Sequence, residues 1–313
     1  MTPASPLVPA RHSAGAAGGI VRPARRPPGW QAPGPRPAGD CGDPALLPAP
    51  GEDLCHLAGD FRIFQRLGGH RWSLDDLVTA QLAVEPGCAT PGAPPTSFLD
   101  LGCGIGSILM LLAWRLEEST GTGIEIQPES VALARRSLRW NGLEERVGVV
   151  EGDLACASEL VADRRFELVT GSPPYFPEGR ALASPDEQRR RCRIETRGGI
   201  ESYCLAAASV LALRGRFVAC LPGGPGGRIE SAARAAGLVL RATRPVVPRA
   251  GKAPLFWVHV LVWPEEEARA GAGADSVDGA AGGVELPPLV VRDEAGRWTE
   301  EFCALRISMG LPV

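Results

Sequence analysis

The stretch D-L-G-C-G-I-G-S at residues 100–107 decides the fold, because it joins an apolar run to a helical pattern. Residues 97–101 (S-F-L-D-L) predict a buried strand, and residues 105–118 predict the helix that follows. The three glycines between them permit a tight turn and let a ligand approach the backbone closely. Such a loop serves either a dinucleotide or the close packing of helix on strand. Its spacing lacks the G-x-G-x-x-G phosphate fingerprint, and Asp100 would repel a pyrophosphate but hold an ammonium group.

Strand and helix patterns alternate from this loop to residue 262. A helix over 128–140 has a proline near its start and Asn141-Gly142 at its end, the usual stop signal. The pattern also predicts strands at 122–126, 146–151, 166–170, 215–221, 238–243 and 256–262, and a helix at 203–213. This alternation predicts an α/β fold, a Rossmann-like, doubly wound, mostly parallel sheet of seven strands. Ligands bind such sheets beyond the carboxyl ends of the strands.

Acidic residues stand at three successive strand ends. Asp100 suits an ammonium group, Glu125 suits the two hydroxyls of a ribose, and Asp153 suits an adenine amino group. S-adenosylmethionine combines these three groups without a phosphate, so the sequence predicts it as the cofactor. Taken singly, Glu125 also fits a solvated strand end and Asp153 a helix N-cap.

The fourth predicted strand ends in G-S-P-P-Y-F, residues 171–176. Pro173 and Pro174 fix two backbone angles, so the Ser172 oxygen and the carbonyl beside it point in set directions. Two fixed acceptors can orient a planar amine while its lone pair faces a methyl donor. Tyr175 and Phe176 offer flat surfaces on which a planar substrate can stack. The alternative is a proline turn capped by a core aromatic.

The segments around this domain are predicted from composition. Residues 1–50 are rich in Pro, Ala, Gly and Arg with no acid before Asp40, which indicates a disordered leader or an organelle transit peptide. Residues 264–287 indicate a flexible linker, and 288–313 a short tail. The domain itself is expected over 55–263.

The net charge and the cysteine pattern argue against several classes of protein. The net charge is −3, so a nucleic-acid footprint has to be a local patch. None of the nine cysteines forms Cys-x-x-Cys, which argues against a zinc site and favours reduced thiols in an intracellular protein. No apolar run approaches the roughly 20 residues that span a membrane. We therefore expect no metal and no membrane contact, and a cytoplasmic protein, or an organellar one if the leader is a transit peptide.

The motifs resemble those of class I methyltransferases. D-L-G-C-G-I-G, Glu125, Asp153 and S-P-P-Y occur in that order over about 55–263. The chain is most similar to methyltransferases of the small-domain type, and among them to the bacterial tRNA-valine adenine-N6 methyltransferase family. H-R-W-S-L-D-D-L-V-T-A (70–80) is similar to the family's segment before the first strand. P-L-V-V-R-D-E-A-G-R-W-T-E-E (288–301) is similar to a tail found in many members.

The resemblance implies roles for particular residues. It implies cofactor contacts at Asp100, Gly102, Gly104, Glu125 and Asp153, with Asp75 also facing the cofactor, and an amine site at Ser172, Pro173, Pro174 and Tyr175. This chain departs from the family pattern at Ser172, where close members usually carry Asn. The implied reaction is methyl transfer to an exocyclic amine, most simply adenine N6 in a structured RNA such as tRNA. A protein glutamine, guanine N2, cytosine N4 and a non-catalytic cofactor-binding subunit are the alternatives.

Arginines follow the Ser-Pro-Pro-Tyr motif. Helical spacing after Ser184 places Arg189 and Arg193 on one face, where we expect them to grip phosphates beside the target base. The alternative is a solvated helix whose arginines pair with neighbouring acids.

Overall fold

The computed structural model describes residues 13–14, 18–85, 94–175, 198–224, 227–264 and 283–313. The strands are β1 (Ser13–Ala14), β2 (Ile20–Val21), β3 (Glu52–His56), β4 (Arg62–Arg66), β5 (Ser97–Leu101), β6 (Thr120–Glu125), β7 (Val147–Glu151), β8 (Phe166–Gly171), β9 (Leu211–Leu221), β10 (Val239–Val247), β11 (Phe256–Val262), β12 (Val284–Glu285) and β13 (Leu289–Val290). The helices are α1 (Leu74–Val84), α2 (Ser107–Arg115), α3 (Pro128–Asn141), α4 (Ala157–Leu160), α5 (Ile200–Val210), α6 (Arg228–Ala235) and α7 (Glu300–Ser308).

The large sheet has the strand order β12-β10-β11-β9-β8-β5-β6-β7, with β13 also paired to β10. The strands from β9 to β7 are parallel, whereas β11 runs antiparallel to β9 and β10. The chain moves outward from β5 first to β6 and β7, and later returns to β8 on the other side. This reversal creates a switch point between β5 and β8, the position at which doubly wound sheets bind ligands.

Each face of the sheet carries its own apolar core. One core contains side chains of α1, α2 and α3, and the other contains side chains of α5 and α6. Both faces of β5 are therefore covered, since Phe98 lies in the first core and Leu99 and Leu101 lie in the second. The doubly wound α/β sheet predicted from the sequence is confirmed, and the short strands β12 and β13 extend its seven predicted strands at one edge.

Residues 18–50, which precede the domain, pack against it, whereas composition predicted that they are disordered. Strand β2 pairs with β3, and the Gly19 amide donates to the Pro48 carbonyl at 3.0 Å. Arg22 contacts Asp53, whose side chain is fully buried, at 2.7 Å. Composition predicted disorder because this segment is poor in large apolar residues, yet backbone hydrogen bonds and arginine–carboxylate pairs hold it against the domain.

The tail also packs on the domain. Strand β13 lies parallel to β10, and the Gly59 amide donates to the Gly310 carbonyl at 2.8 Å. The Trp114 ring lies so close to Gly34, Gly59 and Gly310 that a Cβ atom at any of the three would meet it within 2.9 Å. Segments from the leader, the domain and the tail therefore all pack against the Trp114 ring.

Candidate active site

The glycine loop after β5 brings bare backbone to the switch point. Gly102 has a φ of +60°, and a Cβ atom there would lie 2.2 Å from the Tyr203 hydroxyl oxygen, so only glycine fits. A Cβ atom at Gly104 would meet nothing within 4 Å, so this part of the loop faces open space. The loop is anchored by the Cys103 amide, which donates to the Ile124 carbonyl of β6 at 2.9 Å.

Asp100 places a buried carboxyl group beside this loop. The Thr170 hydroxyl donates to its Oδ1 at 2.8 Å, whereas no residue in the described part of the chain donates to its buried Oδ2. Burial raises the pKa of Asp100 to about 7, and repulsion from Glu125 adds to this, although hydrogen bonds from Thr170 and the Leu109 amide lower it. A buried carboxylate oxygen without a donor is costly, and a cationic ligand would stabilise it.

Two further acids come from the first turn of α1. Asp76 is buried and accepts from the Ser73 amide at 2.9 Å, a capping contact that fixes the start of the helix. Burial raises the pKa of Asp76 well above its usual range, and repulsion from Asp75 and then Asp100 contributes. Asp76 was not among the predicted site residues, although the Ser-x-x-Asp spacing of Ser73 and Asp76 is typical of a helix start.

Glu125 lies at the end of β6, next to the glycine loop. Its carboxylate accepts from the Gly104 amide at 2.9 Å and from the Gln127 amide at 2.7 Å. Burial raises its pKa, while these backbone hydrogen bonds oppose the rise. Together with the Ile126 amide and the Gln127 side chain, these amides hold the carboxylate in a fixed orientation at the end of the strand.

Asp153 follows β7 at the same edge of the sheet. Its side chain accepts from the Ala155 amide at 3.0 Å and caps the 3-10 helix Leu154–Cys156. This is the capping role left open by the sequence. Its position at the third strand end is compatible with the predicted adenine contact, which stays a prediction.

The Ser-Pro-Pro-Tyr corner follows β8 on the other side of the switch point. The Tyr175 hydroxyl lies 2.9 Å from Asp75 Oδ2 and 3.2 Å from the Cys220 sulfur. Its ring is partly buried against the first core, so the ring is less exposed than the stacking surface predicted from the sequence. The Ser172 Oγ lies 3.2 Å from the same sulfur.

Cys220 is a site residue that the sequence did not reveal. Gly171 of β8 lies opposite Ala219 of β9, so the next residues, Ser172 and Cys220, come together. Burial raises the pKa of Cys220 to about 12, and repulsion from Asp75 contributes, so the group is a thiol. Only the strand register brings it to the motif, and no local pattern marks it.

The side chains present fit S-adenosylmethionine. The Asp100 Oδ2 and the neighbouring acids of α1 suit a cationic amino-acid end, and Glu125 suits a ribose. Gly102 and Gly104 supply the uncovered backbone between them. Phe176, Arg189 and Arg193, predicted to contact RNA, lie outside the described residues.

Two features are absent from the described part of the chain. No helix in this part of the chain is both long and apolar enough to cross a membrane. Nor does it contain a group of three or more His, Cys, Asp or Glu side chains arranged to hold a metal ion.

Part of this sequence matches known methyltransferases. Residues 98–184 match the family model described as a methyltransferase domain. A tRNA1(Val) (adenine(37)-N6)-methyltransferase from Porphyromonas gingivalis is 32% identical over 133 residues, which are 42% of this chain and 51% of the relative. A release factor glutamine methyltransferase from Rhodospirillum rubrum is 37% identical over 143 residues, 44% of this chain and 41% of the relative. The chain spans about half the length of the first curated relatives it matches.

The fold also matches a solved structure. A predicted O-methyltransferase from Agrobacterium tumefaciens superposes with a TM-score of 0.53 and 19% identity, over 76% of this chain and 98% of the other. The Rossmann-like methyltransferase fold predicted from the sequence is thereby confirmed. The family match likewise confirms a methyltransferase domain over residues 98–184, and the relatives confirm the resemblance to the tRNA-valine enzymes.

Proposed function

We propose that this chain transfers a methyl group from S-adenosylmethionine to an exocyclic amine, and that the amine is N6 of an adenine in a structured RNA such as tRNA. One observation carries the proposal: a buried Asp100 oxygen without a described donor lies across the switch point from the Ser-Pro-Pro-Tyr corner. The first feature suits a cationic cofactor and the second suits a planar amine. Because the two features are adjacent, they support transfer of a methyl group from the cofactor to the amine.

The cofactor end is assigned to residues on β5 and β6. The Asp100 Oδ2 accepts from the ammonium group, Glu125 accepts from the ribose hydroxyls, and Gly102 and Gly104 let the backbone approach. When bound, S-adenosylmethionine supplies an electrophilic methyl group. The residues around it exclude water and fix its position, which is the main contribution a protein makes to a cofactor reaction.

The substrate end is assigned to the corner after β8. A cavity beside the corner is lined by Pro173, Pro174, Tyr175, Ile200, Leu221, Pro222, Gly223, Gly224, Arg228 and Ile229. Its proline, tyrosine and aliphatic side chains suit a flat base, and Ser172, which precedes the two prolines, offers its oxygen to the amino group. The amine is then oriented without being deprotonated first, so no general base is required, and the proton leaves after transfer.

The RNA assignment follows from the resemblance to a relative named as a tRNA adenine methyltransferase. The similarity to a relative named as a release factor glutamine methyltransferase supports a second candidate acceptor, a glutamine side chain. Both acceptors present a planar nitrogen, so the corner suits either of them.

Labelled S-adenosylmethionine separates the candidates. We expect the protein to label total RNA depleted of this modification, to lose that signal after RNase, and to yield N6-methyladenosine by mass spectrometry of nucleosides. Label that survives RNase and appears on glutamine would replace the RNA proposal with the second candidate. Tight cofactor binding without transfer to either pool would contradict both and favour a non-catalytic subunit. Glu144→Gln, an exposed change away from the strand ends, serves as the active control.

A further inference from the structure

Four side chains form a connected chain beneath the corner. Ser172 Oγ lies 3.2 Å from the Cys220 sulfur, this sulfur lies 3.2 Å from the Tyr175 hydroxyl, and that hydroxyl lies 2.9 Å from Asp75 Oδ2. The sulfur links the Ser172 hydroxyl to the Tyr175 hydroxyl. It projects from β9, which is bonded on both sides to other strands of the sheet, so its position is rigid.

The hydrogens in this chain have a preferred direction. A tyrosine hydroxyl has one hydrogen, and a carboxylate is a stronger acceptor than a sulfur, so Tyr175 donates to Asp75. The Cys220 group remains a thiol because burial raises its pKa to about 12. Its hydrogen can then point to the Tyr175 oxygen, and its sulfur can accept the hydrogen of Ser172, with the buried Thr79 hydroxyl as a further neighbour of the sulfur.

We propose that Cys220 is a positioning residue that makes the Ser172 oxygen an acceptor for the substrate amine. With its own hydrogen directed at the sulfur, the hydroxyl of Ser172 presents lone pairs to the amine rather than a competing hydrogen. This inference rests on the proposed function, because it assigns the orientation of an amine in that reaction. It predicts that Cys220 acts on turnover through Ser172 and not on cofactor binding.

The first test needs no activity. Tyr175 and Tyr203 are the two tyrosines of the sequence, so ζ-13C-tyrosine labelling gives two resonances, assigned with Tyr175→Phe. Cys220→Val should move the Tyr175 resonance and leave Tyr203 in place, since it removes the thiol beside the Tyr175 hydroxyl. Cys204→Val is the matched control, because Cys204 is an equally buried thiol that lies in the other core.

The second test measures turnover on RNA. Cys220→Val should lower kcat roughly fivefold, the effect of losing one neutral hydrogen bond, with KM and cofactor affinity unchanged. Cys220→Ser should restore most of the rate, because a hydroxyl both donates and accepts. Ser172→Ala combined with Cys220→Val should be no slower than Ser172→Ala alone, as expected of residues that act through one another.

The outcomes separate the inference from the function. A parental Tyr175 resonance and a parental kcat in Cys220→Val would refute the positioning role, as would an equal loss of kcat in Cys204→Val. If the parent protein methylates neither RNA nor protein, the proposed function fails, and the NMR comparison still decides whether Cys220 orders the corner. Cys220→Ala, which removes the sulfur without adding a methyl group, replaces the valine variant if that variant does not fold.

Discussion

The two sides of the switch point are built in opposite ways. On the β5 side, Asp100, Asp76 and Glu125 are buried carboxyl groups whose pKa values are raised, and one Asp100 oxygen has no donor among the described residues. On the β8 side, Ser172 and Tyr175 are neutral groups that already have hydrogen-bond partners. The contrast indicates that a cation completes the first side, whereas the second side is ordered before its substrate arrives.

Removing the charge of Asp100 should have the largest effect. Asp100→Asn should weaken S-adenosylmethionine binding about 100-fold at pH 8, because hydrogen bonds to charged groups contribute up to ~3 kcal/mol. Isothermal titration calorimetry measures this, with Glu144→Gln as a control that loses an exposed acid elsewhere. Parental affinity in Asp100→Asn would mean that the buried oxygen does not hold the cofactor, and the contrast between the two sides would disappear.

The pKa of Asp100 makes the same contact dependent on pH. Because this pKa is about 7 in the free protein, the ionised form that binds an ammonium group is lost as the pH falls below 7. Cofactor affinity should therefore fall about tenfold per pH unit below 7 until it approaches that of Asp100→Asn. The variant itself should lack this pH dependence, and calorimetry at pH 5, 6, 7 and 8 compares the two. A flat profile in the parent protein would contradict the assignment.

The same pKa has a consequence for stability without cofactor. The folded-state value of about 7 lies above the ordinary value of 3.8, so the folded protein binds the proton more tightly than the unfolded chain does. The free energy of unfolding therefore decreases as the pH rises from about 4 to 7. Asp100→Asn cannot bind this proton, so its free energy of unfolding does not decrease for this reason. Relative to the parent protein, the variant should therefore become more stable as the pH rises from about 4 to 7.

The Glu125 contact should have a smaller effect. Glu125→Ala should weaken the cofactor at least tenfold, because it removes an acceptor pair for the ribose worth about 2 kcal/mol. Part of the loss reflects the Gly104 and Gln127 amides, which lose their acceptor. Glu125→Gln keeps an acceptor oxygen and should bind more tightly than Glu125→Ala. Unchanged affinity in both variants would remove Glu125 from the cofactor site.

The neutral side should show the smallest effect, and on a different quantity. Ser172→Ala should leave cofactor affinity and thermal stability at parental values while kcat falls roughly fivefold, the loss of one neutral hydrogen bond. Single-turnover rates on RNA measure this directly. If Ser172→Ala turns over like the parent protein, the backbone carbonyl alone orients the amine, and the two sides differ less in their chemistry than the structure suggests.

The sequence predicted the fold where patterns are local. The strand over 97–101 has an apolar run and the helix α3 has a proline at its start and a glycine after its end, and both were placed within one residue of the structure. The boundary between α5 and β9 was not visible, since an apolar run continues through it. The sequence predicted a helix to residue 213, whereas the helix ends at Val210 and the strand begins at Leu211.

The site was predictable only where a residue lies at the carboxyl end of a strand or directly after it. Asp100 and Ser172 were found in this way, because the carboxyl ends of parallel strands meet at one edge. Cys220 reaches Ser172 across 48 residues of sequence through strand pairing, and no motif encodes that pairing. Arg22 meets Asp53 in the same long-range manner, which is why composition alone misjudged residues 18–50.

Three segments of the chain pack against Trp114, and these contacts indicate which residues fold and unfold together. Trp114 is 7% exposed, and Gly34, Gly59 and Gly310 cover it from positions spread over almost the whole chain. A chain trimmed to residues 55–263 would keep strands β5 to β11 of the large sheet but lose Gly34 and Gly310, two of the three glycines that cover the ring. Residues 18–50 and the tail therefore belong to the cooperative unit, and we expect them to melt together with the sheet in a single transition rather than fray ahead of it.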